Sequence, residues 1–288
     1  MAEDQITERT IHIEKVFREK SPNGARFIPG FVFGYLRRKI HEKEINAFLY
    51  ENRHLVGIPF VDMLVKEFGA NIEVSGMENL PEKGRAIVAA NHPLGGLDGV
   101  VLMHVVGKKR KDFLFPVNDI LLFLPTLKPL FIPINKHGSN QENLQILDNA
   151  FDSENLILYF PAGLVSRKQK NGKIEDLEWK KTFIAKAVKY KRDVIPTFVE
   201  GANSNFFYNL ANLRKRLGIK ANIEMLYLPD EMFKQFNKTI HVIFGKPIPY
   251  DTFDKRYNFN EWAQRVKKYV YSMGQGNTEP FDPGKDFD

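Results

Sequence analysis

The chain predicts an α/β fold of three layers, with a largely parallel or mixed sheet preceded by a helical N-terminal region. Three observations predict it. From about residue 71, short β-rich runs alternate with helical patterns, as they do when helices cover both faces of a sheet. Before that point the pattern is mainly helical. The length of 288 residues, with 43% hydrophobic and 27% charged, suffices for one large domain with a substantial core.

Taken in order, residues 1–70 form the helical N-terminal region. Its start, MAEDQITERT, is neither a secretory signal nor an Arg-rich transit peptide. The stretch from Ile28 to Ile40, IPGFVFGYLRRKI, has two readings: a helix lying in a membrane interface, or a first helix packed on the core with a solvated basic end. Pro59 opens a helix whose apolar spacing is Val61, Leu64, Val65 and Phe68. Residues 71–250 form the α/β core. Its expected strands are Ala86–Ala90, Phe113–Val117, Phe131–Ile134, Leu156–Phe160, Val194–Val199, Ile223–Leu228 and Ile240–Phe244. Helical patterns lie near Val100–Val106, Leu144–Phe151, Leu177–Tyr190 and Phe206–Leu217. Residues 251–288 make a C-terminal helix and a flexible acidic tail, which carries four acids against Lys285.

Composition removes several classes of function. With no cysteine there is no disulfide scaffold, Cys-ligated zinc, iron–sulfur cluster or thiol nucleophile, and a reducing cytoplasmic setting is expected. No apolar run reaches the roughly 18 residues a membrane span needs. The nearest, Phe113 to Ile134, holds Asn118, Asp119, Lys128 and four prolines. The net charge of +7 favours an anionic partner, and it is concentrated: Leu164 to Arg192 holds ten Lys/Arg against three Asp/Glu. A basic module for nucleic acid or membrane is therefore the non-enzyme alternative. No helix-turn-helix, RRM or zinc-finger pattern supports a nucleic-acid partner, and none is expected. Neither dinucleotide-binding nor Walker glycine motifs occur. No metal site is expected, since His92 and Asp98 lack a third ligand and there is no H-E-x-x-H.

In open α/β sheets chemistry sits on loops leaving the carboxyl ends of strands. The strand RAIVAA runs into Asn91-His92-Pro93-Leu94-Gly95-Gly96-Leu97-Asp98-Gly99. An imidazole and a carboxylate in one loop can pair, the acid fixing the tautomer and the second nitrogen becoming a base. Asp98 could instead be only a helix N-cap. Three further blocks follow: Phe131-Ile132-Pro133-Ile134-Asn135-Lys136; Leu158-Tyr159-Phe160-Pro161-Ala162-Gly163-Leu164-Val165-Ser166-Arg167-Lys168; and Val194-Ile195-Pro196-Thr197-Phe198.

These four blocks, in this order, resemble the glycerolipid and lysophospholipid acyltransferases over about Arg85 to Asn205. Their signatures are Asn-His-x4-Asp, a strand with a basic end, an FPEGTRS-like turn and a VIP-like strand. The string ANHPLGGLDG is most similar to the hemolysin-like branch, which includes bacterial amino-acid-lipid O-acyltransferases. The resemblance implies an acyltransferase-like domain that moves a fatty acyl group from an acyl carrier protein or CoA thioester to a lyso-lipid hydroxyl, with no bound cofactor. It implies His92 as base, Asp98 as its orienter, and substrate contacts from Asn91, Gly95, Gly96, Lys136, Gly163, Arg167 and Lys168. Backbone N–H groups of Gly95, Gly96 or Gly163 are candidate oxyanion donors.

Two departures bear on the acceptor. Five residues rather than four separate His92 from Asp98, a length that Gly95 and Gly96 can absorb, and the FPEG glutamate position is Ala162. The second tilts the expectation toward a lyso amino-acid lipid, with lysophosphatidate as the alternative. The expected location is cytoplasmic, peripherally on the inner face of the membrane. The cations Lys180, Lys181, Lys186 and Lys189 fall mainly off an apolar stripe of Phe183, Ile184, Ala187 and Val188, a basic surface suited to acidic lipid or an acidic carrier. Phe113, Phe115, Phe123 and Phe131 are candidates for lining an acyl-chain channel.

Overall fold

A computed structural model describes residues 11–20, 26, 29–118, 124–134 and 140–287. Lys136 and Phe123 lie outside the described residues. Among the described residues four helices come first: α1 (Ile13–Lys20), α2 (Gly30–Lys39), α3 (Glu42–Glu51) and α4 (Ile58–Phe68). Pro59 sits in the first turn of α4, where its missing N–H costs nothing. Then come β1 (Asn71–Ser75), β2 (Ala86–Ala90), α5 (Gly96–Lys109), β3 (Phe113–Asn118), β4 (Phe131–Ile134), α6 (Asn140–Asp152) and β5 (Leu156–Tyr159). A hairpin of β6 (Arg167–Lys168) and β7 (Ile174–Glu175) precedes α7 (Thr182–Tyr190), β8 (Asp193–Val199), α8 (Asn205–Arg216) and α9 (Leu228–Phe233). Strand β9 (Thr239–Phe244) and helix α10 (Phe259–Gly274) complete the order.

Seven strands form one sheet in the order β1-β9-β8-β2-β5-β3-β4. Every neighbouring pair is parallel except β8 and β9, so the sheet is mixed but mostly parallel. Alternation along β2 divides the core. Ala86, Val88 and Ala90 face a cluster with α4 and α5, while Ile87 and Ala89 face a second cluster with α6, α7 and α10. The result is the expected three layers. In register, Ala89 of β2 lies beside both Tyr159 of β5 and Pro196 of β8, which brings three strand exits to one edge.

Four expectations change. Ile223–Leu228 is not a strand: Ile223–Tyr227 is a 3-10 turn running into α9, with Pro229 in the first turn of that helix. Its apolar run resembled a strand, but Glu224 must lie between two buried arginines and Pro229 cannot donate to a ladder. The edge strand β1 and the β6–β7 hairpin were not foreseen as strands, being short and polar. The acidic tail is docked rather than frayed, because Phe281 and Phe287 pack on Tyr269 with centroids 5.4 and 5.1 Å away. The basic segment is less of a surface than its charge count suggests. Arg167 and Arg192 are buried in it, and burial pushes the Arg192 guanidinium down to about 10 while it donates to carbonyls of Phe151 and Asn155.

Helix α10 starts with a reciprocal cap. Asn258 Oδ1 accepts from Asn260 N and Glu261 N, and Glu261 Oε2 accepts from Asn258 N. Asn258→Ala is expected to cost about 1 kcal/mol in urea unfolding with activity intact. An unchanged midpoint would show that the buried face of α10, led by Trp262 and Val266, holds the helix without its cap.

Candidate active site

The site lies where β2, β5 and β8 end. The chain leaves β2 at Asn91, whose amide spans to β8: Nδ2 donates to Val199 O at 2.9 Å and Oδ1 accepts from Val199 N at 2.7 Å. At 2% exposure Asn91 ties two strand ends together. His92 follows. Its Nδ1 lies 2.9 Å from Asp98 Oδ1, while Asp98 Oδ2 accepts from Leu94 N and Gly95 N at 2.8 and 3.2 Å. The longer loop is thus wound around the carboxylate. Gly95 makes this possible with φ +79°, a conformation disfavoured for residues with a Cβ.

Asp98 is fully buried, and the His92 side chain is 18% exposed. One face of the imidazole is covered by Phe160, stacked at 4.1 Å between centroids with an interplanar angle of 17°. Phe115 meets the Phe160 ring edge-on. Burial disfavours the imidazolium, but the carboxylates of Asp98 and Asp176 outweigh it and raise the His92 pKa above its ordinary 6.5.

Asp176 was not foreseen. It is 1% exposed, and its Oδ1 accepts from His92 N at 3.2 Å and Ser166 Oγ at 2.5 Å. Its Oδ2 accepts from Trp179 Nε1 at 2.8 Å, and its own N–H donates to Tyr271 OH at 2.7 Å. Burial raises its pKa against these bonds. The carboxylate therefore pins the β6–β7 region to the His92 loop, assisted by Ser166 N donating to His92 O at 2.8 Å. Its sequence signal was weak: one acid of three in a basic segment, three residues before one of only two tryptophans.

The other expected contacts divide. Arg167 is turned inward, 2% exposed, with one terminal nitrogen on Val165 O at 2.8 Å and the other on Glu224 Oε1 at 2.9 Å. That guanidinium is committed to the protein, which corrects its assignment to an anionic acceptor. Lys168 is half-buried on β6. Gly163 is exposed at the end of the Phe160 turn, φ +65°, and Lys180 Nζ lies 3.5 Å from where its Cβ would be. Of the oxyanion candidates, Gly95 N is taken by Asp98 and Gly163 N by Phe160 O. Gly96 N opens the first turn of α5, where N–H groups have no intrahelical acceptor. Phe113, Phe115 and Phe131 are core residues.

Chemically, a carboxylate-held Nδ1–H leaves Nε2 as the basic nitrogen, next to a helix N-terminus that favours negative charge. Such an arrangement can deprotonate a hydroxyl and support an oxyanion.

Fold and site together define an α/β acyltransferase. A family described as Acyltransferase matches residues 15–277, and the chain belongs to that family. It is 48% identical over 265 residues to a lyso-glycine lipid O-acyltransferase of Bacteroides thetaiotaomicron, covering 91% of this chain and 97% of that one. It is 47% identical over 275 residues to the enzyme of the same name from Phocaeicola vulgatus, covering 95% and 98%. A solved structure of the 1-acyl-sn-glycerophosphate acyltransferase of Thermotoga maritima is similar at 17% identity and TM-score 0.44, over 85% of this chain and 89% of that one.

Proposed function

We propose that the chain transfers a fatty acyl group from an acyl thioester to the hydroxyl of a lyso amino-acid lipid, with lyso-glycine lipid as the favoured acceptor. The observation that carries the chemistry is the 2.9 Å contact between His92 and the buried Asp98 at the exit of a central strand. His92 Nε2 removes the acceptor hydroxyl proton as the oxygen attacks the thioester carbonyl. The tetrahedral oxyanion is met by the first N–H groups of α5, Gly96 foremost. It collapses to the ester, expelling a thiolate that takes its proton from the imidazolium. Asp98 holds the ring in one tautomer and stabilises its charged form. Asp176 is a positioning residue for the same loop.

The acceptor class follows from the names of the two relatives and from the inward turn of Arg167. A phosphomonoester dianion calls for paired cations at the site, and Glu224 has claimed one of them. A single carboxylate asks for less, and Lys168 and the exposed Lys180 are the cations we assign to it. The donor is acyl carrier protein or acyl-CoA. Among the described residues no helix is long and apolar enough to cross a membrane. With a net charge of +7, we place the enzyme peripherally on the inner, cytoplasmic face of the membrane.

Thiol release from palmitoyl thioesters of acyl carrier protein and of CoA tests this, with N-(3-hydroxyacyl)glycine and lysophosphatidate supplied separately. Release that requires the glycine lipid and is much weaker with lysophosphatidate is the expected result. Equal or faster release with lysophosphatidate would move the acceptor to the glycerophospholipids.

A further inference from the structure

Helix α8 has an apolar face that stands exposed among the described residues. Its inner side buries Phe207, Tyr208, Ala211 and Arg214. A second stripe, Phe206, Leu210, Leu213 and Leu217, runs along the outside at i, i+4, i+7 and i+11, which keeps the four side chains within one narrow arc. Phe206 is 51% exposed, Leu213 52% and Leu217 64%. The stripe is about 16 Å long at 1.5 Å per residue. It is flanked by Asn209, Asn212 and Arg216, and Lys215 and Lys220 stand exposed at its C-terminal end. From Gly201 to Ile223 there is no acidic residue.

The stripe continues onto a second element. Phe206 meets Tyr227 edge-on at 5.1 Å, Tyr227 OH lies 3.3 Å from Tyr35 OH, and Phe31 one turn earlier on α2 is 78% exposed. It is also keyed to the site. Ser204 Oγ caps α8 through Phe207 N at 3.3 Å, and Asn203 donates its N–H to Tyr208 OH and its side-chain amide to Pro93 O at 3.1 Å, beside His92.

We propose that this outer face of α8 is the surface by which the enzyme docks on an anionic bilayer, presenting the His92 loop to acceptor lipid in that leaflet. The inference rests on the lyso-lipid reading for its purpose. Large apolar side chains in line, amides beside them and cations at one end are the chemistry of a helix lying in a headgroup interface. An acidic carrier protein would instead be matched by cations spread through the patch, and here Lys215, Arg216 and Lys220 are gathered at its end.

The test is flotation with vesicles of equal parts phosphatidylglycerol and phosphatidylcholine, and of phosphatidylcholine alone, without any acceptor. Leu213→Gln/Leu217→Gln is expected to weaken binding to anionic vesicles at least about tenfold. Lys215→Gln/Arg216→Gln/Lys220→Gln should weaken it on the anionic vesicles only. Turnover of a short-chain acceptor dissolved as monomer stays at the wild-type rate in both variants, while turnover of acceptor embedded in vesicles falls. Vesicle binding unchanged in the leucine variant overturns the proposal. So does a change only in the mass of the protein in solution, which would make the stripe a contact between two copies. A loss of carrier-protein-dependent but not CoA-dependent turnover, with vesicle binding intact, would make it a carrier site. Absence of turnover in the wild type would count against the lipid-acceptor reading and leave the flotation result to judge the surface by itself.

Discussion

His92→Ala is expected to lower kcat by about 10²–10⁴-fold, the usual worth of a positioned general base, with the fold retained. Retention follows from the geometry. Asp98 loses the imidazole but keeps the N–H groups of Leu94 and Gly95, so its buried carboxylate is not orphaned. The pH dependence distinguishes a base from a merely structural histidine. Only the neutral ring accepts a proton, and the neighbouring carboxylates raise the His92 pKa above 6.5 against burial. In the wild type kcat/KM should therefore fall as pH is lowered through a limb above 6.5. In Asp98→Asn the largest raising influence is gone, burial dominates, and the limb should move to lower pH on a slower enzyme. A limb that stays in place in Asp98→Asn would separate that carboxylate from the titrating group.

Glu224→Gln should produce the largest loss of stability, about 3–5 kcal/mol in urea unfolding. Glu224 is fully buried, with Arg167 Nη2 2.9 Å from one oxygen and Arg214 Nε 2.8 Å from the other. Neutralising it leaves two buried guanidiniums facing each other without a counter-charge. Arg167→Lys should not be silent either. The guanidinium spans Val165 O and Glu224 with different nitrogens, and a single ammonium cannot hold both. A loss below about 1 kcal/mol for Glu224→Gln would mean that the arginines reach solvent and that Arg167 is available to a ligand after all.

The strands Ala86–Ala90 and Phe131–Ile134 were readable to the residue, because each is a short apolar run bounded by a turn or proline signal. Ile223–Leu228 also carried an apolar run and became a turn and a helix, since the buried Glu224 within it pairs with arginines elsewhere and Pro229 just after it cannot donate to a ladder. The His92–Asp98 pair was legible because both residues lie in one loop and the spacing is local. Asp176 was not. Its partners His92 and Tyr271 are 84 and 95 residues away, and nothing in its own neighbourhood marks it as buried.

Arg167 and α8 show the same division from opposite sides. Pattern alone placed a cation after the Phe160 turn and an amphipathic helix near Phe206–Leu217. Whether that cation faces a ligand depended on Glu224, which arrives from 57 positions along the chain. Which face of the helix is covered depended on the hairpin and turn that pack on Phe207 and Tyr208. Periodicity and turn chemistry act over a few residues, so they set the strands, the helices and the loop that holds the imidazole against its carboxylate. Burial of charge and exposure of apolar surface are settled between elements distant in sequence, and they emerge only when the sheet brings those elements together.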